Sequence, residues 1–541
     1  MRGNYAEIWR CVAEKLPEKT AIVAGEVRIS YGEFDRDAAK LASLFVEHGL
    51  HRGSKIAIYM HNRAEYLIAL YAAFKIGAVP VTINFRYRER EVLPLLENCE
   101  ASALIFTSSM ADTVMNMRSD SRLPATLLQV NDLPEPKPRE GVVDFREFES
   151  FAELSARNLS NDDELLIYTG GTTGRPKAVV WSVGDLLDIQ MFSIYGALGL
   201  KRPSTLEEVV SVATDPALPD TVTLPLAPFM HATALFNAMN TFVLGGTLVI
   251  LPSPSFDPSD AANVIVSEAV TRLILAGDAV AQPLIEALHA TGETHLPSLR
   301  TVISSGMRFS DESKRQLHAL GDITIADILA STEGGPYAIG ISTSGEDLPA
   351  RLRLAEGAVV LSDSMEEVQD RPGQIGVLAY KGTLPKGYFK DEEKTRQTYP
   401  VLNGVRHVMP GDFVEVKVDH YIELLGRGSS VVNSGGEKIF PAEVEETLMS
   451  HEAVIDAVAF GMPDKKWGEA LTAIVAVNAG SQVTEQELAS YVGAQLAGFK
   501  KPKRILIKDS LERSPSGKLD MSALKVVASA NEKTGSPDQA R

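Results

Sequence analysis

The sequence predicts an α/β protein in two parts, a large N-terminal domain of parallel and mixed sheets flanked by helices and a small α+β C-terminal domain. Three observations predict it. The strand-like Lys55-Ile56-Ala57-Ile58-Tyr59, a helical pattern from about Ala64 to Lys75 ended by Gly77, and the apolar Val79-Pro80-Val81-Thr82-Ile83 form a β-α-β unit with short connections, which places its strands in parallel. A chain of 541 residues exceeds what one hydrophobic core supports. Composition also changes at Leu425-Gly426-Arg427-Gly428-Ser429-Ser430, beyond which the pattern becomes that of a compact unit. The expected boundaries are 1–427 for the large domain, 428–429 for a hinge, 430–527 for the small domain and 528–541 for a disordered tail.

In chain order, Ser30-Tyr31-Gly32-Glu33 is a capping box, and Phe34, Ala38, Leu41 and Phe45 follow at helical spacing up to Gly49. Between Ser108 and Glu164 the pattern weakens around a proline knot at Pro134, Pro136 and Pro138, which reads as a surface excursion. Leu198 to Asp220 reads as an extra loop, helical and then irregular, placed to cover a pocket. Thr221 to Phe256 carries no Asp, Glu, Lys or Arg, but Pro225, Pro228, Asn237, Asn240, Gly245 and Gly246 interrupt it, so it reads as core around a pocket and not as a membrane span. The last part offers a proline-led helix at Pro441, strands near Val454–Phe460 and Leu471–Val477, a capped helix from Thr484 and a strand at Ile505–Lys508. From Ala528 the chain is small, polar and aperiodic.

Charge narrows the partners. A net charge of −18 argues against nucleic acid, whose phosphates are bound by clustered Lys and Arg. Two cysteines, Cys11 and Cys99, make no disulfide framework and suit a reducing cytoplasm, and the first residues lack the basic-then-apolar pattern of a signal peptide.

The stretch around which the chain is organised is Tyr168-Thr169-Gly170-Gly171-Thr172-Thr173-Gly174-Arg175-Pro176-Lys177, between the apolar runs Leu165–Ile167 and Ala178–Trp181. Glycines let the backbone turn tightly and bring N–H groups close to a ligand, while the threonine hydroxyls, Arg175 and Lys177 add donors, a composition that suits phosphate. It does not fit G-x-x-x-x-G-K-[ST], because Arg175 and Pro176 separate the lysine from Gly174 and Ala178 follows it. The loop resembles the phosphate loop T-S-G-T-T-G-x-P-K-G of the acyl-adenylate-forming superfamily, departing at Gly170 and Ala178. Ile29–Phe34 and Ala73–Val81 are similar to the opening of that superfamily.

Further words extend the resemblance to Lys518. Pro225-Leu226-Ala227-Pro228-Phe229-Met230-His231 resembles the P-x-F-H segment of acyl-CoA synthetases, which implies that His231 stands beside adenylate and acyl group. In amino-acid-activating relatives an acidic residue here pairs with the substrate ammonium, so His231 points to a carboxylate without an α-amino group. Ser304-Ser305-Gly306-Met307-Arg308-Phe309-Ser310 follows a strand and precedes a helix. It is similar to S-G-G-A-P-L-S, which implies contact of Gly306, Met307 and Arg308 with adenine. Asp327-Ile328-Leu329-Ala330-Ser331-Thr332-Glu333 resembles Y-G-x-T-E, with Leu329 where a tyrosine commonly stacks on the base. The likeness implies Thr332 on the α-phosphate and Glu333 on magnesium, a hard cation suited to oxygen ligands.

Gly411-Asp412 by itself reads as a turn, but it resembles the family's G-D, and the likeness implies a carboxylate on both ribose hydroxyls; Leu425-Gly426-Arg427 resembles the family's G-R hinge word, which implies an arginine facing the nucleotide at a hinge whose usual charged residue is here Ser429. For Asn433-Ser434-Gly435-Gly436-Glu437-Lys438 the resemblance alone implies a passage for pantetheine, past glycines that let a ligand approach the backbone. Arg513-Ser514-Pro515-Ser516-Gly517-Lys518 matches the closing R-T-x-S-G-K, whose lysine bridges carboxylate and α-phosphate from a mobile lid.

The resemblance thus implies an AMP-forming acyl-CoA synthetase. Lys518, Glu333, Thr332 and His231 would be catalytic, ATP, magnesium and coenzyme A would be its cofactor and co-substrates, and a fatty or bulky apolar acid its substrate. A carrier-loading adenylating enzyme and a non-catalytic nucleotide-binding descendant remain as alternatives. A homodimer is the default assembly.

Overall fold

In the computed structural model the described residues are 2–134, 139–154, 159–169, 176–196, 199–251, 253–292, 294–307, 309–362, 364–427, 432–439, 441–478, 480–511 and 521–534. The chain divides into two compact units. The first comprises 1–85, 92–169 and 177–426, and the second 86–91, 170–176 and 427–541.

The first unit is built on two sheets, in keeping with the α/β class expected. In the smaller, Lys55–Tyr59 lies between Val79–Thr82 and Ala101–Thr107, parallel to both, as the β-α-β pattern requires. The connecting helix Ala64–Lys75 is buried over its whole length, which explains why it carries apolar residues on every face. Glu164–Thr169 joins in parallel beside Val79–Thr82, and Lys177–Ser182 then turns back antiparallel. The larger sheet holds 13 strands among the described residues. It is parallel through Val222–Pro225, Arg272–Leu275, Thr301–Ser305 and Thr324–Ser331, and antiparallel from there to Gly334–Ser342.

The helix Tyr31–Glu47 has both hydrogen bonds of the expected capping box, Ser30 Oγ accepting from the Glu33 N–H and the Glu33 carboxylate from the Ser30 N–H. The uncharged stretch is core: Ala232–Val243 packs Ala234, Leu235, Ala238, Met239 and Phe242 inward, and no described helix is long and apolar enough to cross a membrane.

Two expectations need correction. The segment Ser108–Glu164 is more than a surface excursion, because Thr126–Val130 pairs in parallel with Ala101–Thr107 and buries Leu127, Leu128 and Val130. Five residues behind a loop are too short to show a period. The 198–220 insertion is helical and then irregular, as expected: it holds the helix Leu206–Ala213, whose Val209 belongs to the main core, and Leu198 itself lies outside the described residues. Finally, the tail expected to be disordered from Ala528 is helical to Thr534. Leu524 and Ala528, one helical turn apart, pack with Val458, Phe460 and Ile474. The apolar stripe Met521, Leu524, Ala528 ends where the expected tail begins, and the residues beyond it are small and polar, with no stripe by which sequence reading finds a helix. Residues 535–541 lie outside the described residues.

The second unit is α+β. Val454–Asp464 and Gly468–Val477 form a long antiparallel pair, Arg504–Lys508 lies parallel to the latter, and the helices Pro441–Met449 and Glu485–Gln495 cover a core of Val444, Leu448, Ala473, Val475, Leu488 and Val492.

Candidate active site

The site grows from two hairpins. In the first, the ladder between Glu164–Thr169 and Lys177–Ser182 closes with Thr169 opposite Lys177, so the glycine-rich loop springs from a fixed base. Gly170, Gly171, Thr172, Thr173 and Gly174 lie outside the described residues. In the second, Thr324–Ser331 and Gly334–Ser342 pair up to Ser331 opposite Gly334, which leaves Thr332 and Glu333 as a two-residue tip.

Side chains tie the tips together. Thr169 Oγ1 donates to Glu333 Oε1 at 3.2 Å, and the Tyr388 hydroxyl donates to the same oxygen at 3.0 Å. The Tyr399 hydroxyl donates to the Glu333 carbonyl at 3.1 Å, and the Trp181 indole N–H to the Thr332 carbonyl at 2.9 Å. Burial pushes both phenols well above their ordinary pKa, with the Glu333 charge adding to it, so the two tyrosines stay protonated donors. Glu333 is thereby held in one place by hydroxyls.

Lys177 Nζ meets Asp391 Oδ2 at 2.6 Å, and Asp391 also caps the helix Glu392–Thr398 by accepting the Lys394 N–H at 2.9 Å. Lys177 holds the Asp391 carboxyl below the usual carboxylate range. The lysine therefore sits at the base of the loop on an anchor of its own.

His231 is the N-cap residue of Ala232–Val243 and closes the turn from Pro225 with its N–H on the Pro228 carbonyl at 3.0 Å. Asn62 holds that turn from outside: its amide accepts the Phe229 N–H at 2.7 Å and donates to the Ala227 carbonyl at 3.0 Å. Gly306 has φ +89°, and nothing lies within 4 Å of where its Cβ would be, so open space borders the backbone there. Met307 follows it, and Arg308 lies outside the described residues. Ile328 and Leu329 are both partly exposed, on opposite faces of their strand. Asp327 is bound to Lys314 at 2.8 Å, and burial raises its carboxyl. Asp412 is buried at the start of Asp412–Val416, just after Gly411 at φ +89°.

The structure thus brings Thr169, Lys177, Thr332 and Glu333 to one place. Arg427 ends the strand Tyr421–Arg427, and Lys518 lies outside the described residues. Gly435 and Gly436, with φ +59° and +88°, make the tight turn between Val432–Ser434 and Glu437–Ile439, and a Cβ on Gly435 would stand 2.7 Å from the Trp467 ring. Their glycines have a local reason, independent of any ligand. Glu437 is buried beside them.

Sequence reading missed Tyr388, Tyr399, Asp391, Trp181 and Asn62. Each lies far along the chain from the residue it holds, so no local spacing points to it.

Among the described residues no group of three His, Cys, Asp or Glu could hold a metal. Magnesium needs no such cage, since it is bound through one or two carboxylates, phosphate and water. A single fixed carboxylate, Glu333, held by Thr169 where the strand Glu164–Thr169 ends, fits a magnesium ion that arrives with a nucleotide.

Comparison with known proteins agrees with this geometry. Residues 9–389 match the AMP-binding enzyme model and residues 443–518 the AMP-binding enzyme C-terminal domain. A Mycobacterium marinum protein named medium/long-chain-fatty-acid–CoA/3-oxocholest-4-en-26-oate–CoA ligase is 33% identical over 530 residues, 96% of this chain and 95% of that one. A Rhodococcus rhodochrous 3-oxocholest-4-en-26-oate–CoA ligase is 32% identical, covering 96% and 95%. Among solved structures, a Mycobacterium tuberculosis fatty acyl CoA synthetase superposes with TM-score 0.64 at 25% identity, covering 98% of this chain and 99% of that one. The o-succinylbenzoate CoA synthetase of Bacillus subtilis, at TM-score 0.76 and 23% identity with 97% and 98% covered, shares the fold. With a fixed glutamate at the foot of the phosphate-type loop and both models matched in order, the chain belongs to the AMP-binding enzyme family.

Proposed function

We infer that the chain is an AMP-forming acid–thiol ligase, an acyl-CoA synthetase. Its substrates are a carboxylic acid, ATP and coenzyme A. A carboxylate oxygen attacks the α-phosphorus, the bond to the β-phosphate oxygen breaks, and pyrophosphate leaves with the electron pair. The thiolate of coenzyme A then attacks the acyl carbonyl, and AMP leaves.

The observation that carries this reading is Glu333, fixed by the Thr169 and Tyr388 hydroxyls at the base of the glycine-threonine loop. Magnesium, held by Glu333, would offset triphosphate charge. Thr332 is assigned to the α-phosphate, His231 to the acyl side, Gly306, Met307, Arg308 and the 327–329 strand to adenine, Asp412 to ribose and Arg427 to the nucleotide. Lys518 is assigned to the adenylation step, and Gly435, Gly436 and Glu437 to the pantetheine arm.

The acid is a fatty or bulky apolar one. The uncharged stretch around His231 and relatives named for medium- and long-chain fatty acids and a sterol side-chain acid support that class. The family model ending at Lys518 supports a hinge near 428–429 and a separate C-terminal lid. Reduced cysteines support a cytoplasmic place, and a homodimer is the assembly that sedimentation should find.

Carboxylate-dependent exchange of pyrophosphate into ATP, followed by thioester formation with coenzyme A, tests the whole reading. Exchange with no acid in a chain-length panel would leave only nucleotide binding. Transfer to a holo-carrier protein but not to coenzyme A would make it a carrier-loading enzyme.

A further inference from the structure

The face of the larger sheet opposite the helices Pro258–Ser267 and Asp278–Ala290 carries a charge that the reaction above does not use. Leu273 and Leu275 pack with those helices, so Arg272 and Ile274, alternating along the same strand, point the other way, toward Ala232–Val243. Arg272 is 6% exposed. Its Nη2 donates to Asn237 Oδ1 at 2.6 Å, and its Nη1 is buried with no hydrogen-bond partner. No carboxylate pairs with it among the described residues.

Its neighbours are polar too. Thr223 is its register partner on the next strand and is bonded to Thr241 at 2.8 Å, while Asn240 donates to Gln190 at 2.9 Å and leaves its own buried Oδ1 without a partner. Burial lowers the guanidinium to about 10, still charged at neutral pH. A buried charge of this kind is costly unless something accepts from it.

Its place in the fold says what that is. Asn237 lies six residues along the helix that begins at His231, so the guanidinium is on the order of 9 Å down the helix from the acyl end. Measured along the sheet, Arg272 is register partner to Thr301, five residues before Gly306, on the order of 16 Å of strand. His231, Thr233 and Asn237 are all partly exposed on a helix that is otherwise buried from Ala234 inward. Resting on the acyl-CoA synthetase reading, we propose that Arg272, with Asn237 and Asn240, is the distal end of the acid-binding site and takes an oxygen acceptor, a keto or carboxylate oxygen, at the far end of the acid from the group being activated. An unadorned alkyl chain would leave Nη1 unsatisfied.

The test uses three acids matched in length: unsubstituted, bearing a keto group near the far end, and dicarboxylic. Pyrophosphate release is followed with the whole chain, as wild type, Arg272→Met and Arg272→Lys, with thermal unfolding of each. The expected result is kcat/KM about tenfold to a hundredfold higher for at least one oxygenated acid than for the plain one, the worth of a hydrogen bond to a charged group. Arg272→Met should abolish that preference, and Arg272→Lys should retain part of it. Keto against dicarboxylic acid tells whether the acceptor is neutral or charged. A flat preference in the wild type, or the same preference in a folded Arg272→Met, would overturn the proposal and leave a buried water on Nη1. Release with no acid at all would instead bring down the synthetase reading itself.

Discussion

At Glu333 two hydroxyls converge on one carboxylate oxygen, and each can be removed without changing shape. Tyr388→Phe deletes one donor and keeps the ring, which stands 6.1 Å from that of Tyr399. A hydrogen bond to a charged group is worth about 1.5–3 kcal/mol, so pyrophosphate release should fall roughly tenfold to a hundredfold, with an unfolding midpoint that changes little. Glu333→Gln should fall further, because the charge goes as well.

Asp391 gives a pH signature. Lys177 depresses its carboxyl in the folded state, so the stabilisation is complete above the ordinary carboxylate value of about 3.9 and is lost as pH falls through the lower folded value. Urea midpoints should therefore drop on acidification less steeply in Asp391→Asn than in the wild type, and equal slopes would show the pair to be without effect. Neither role was legible in the sequence, since Lys177 and Asp391 are 214 residues apart and Tyr388 is 55 residues from Glu333. What could be read was local: the strands ending at Thr169 and beginning at Lys177, and the Thr-Glu tip between its two strands.

Among elements, legibility followed periodicity and capping. Ser30 with Glu33, Thr484 with Glu487 and the Lys55–Ile83 unit form as their patterns require, because in each the deciding partners lie within a few residues. Thr126–Val130 and the helix Met521–Thr534 escaped notice, one too short for a period and the other small and polar over its second half. The turn before Ala232–Val243 is an element whose rigidity comes from outside it. Asn62→Ala would leave the Phe229 N–H and Ala227 carbonyl without partners, at a cost of about 1–3 kcal/mol in denaturant unfolding. Because His231 ends that turn, the KM for the acid should rise while the KM for ATP holds. Parallel rises in both would mark Asn62 as merely structural.

For the whole molecule the two half-reactions can be separated. Lys518→Ala should lose adenylation by a factor of about a hundred to a thousand, as when one preorganised electrostatic donor is removed, while thioester formation from supplied acyl-AMP persists. Equal loss in both steps would deny the lysine its assigned step.

The indole of Trp181, donating to the Thr332 carbonyl one residue from Glu333, has an optical consequence. The chain has three tryptophans, and Trp9 is sealed in the core while Trp467 stands in the second unit. Emission that shifts when ATP is added, and that no longer shifts in Trp181→Phe, would turn this one ring into a built-in fluorophore for the arrival of the nucleotide.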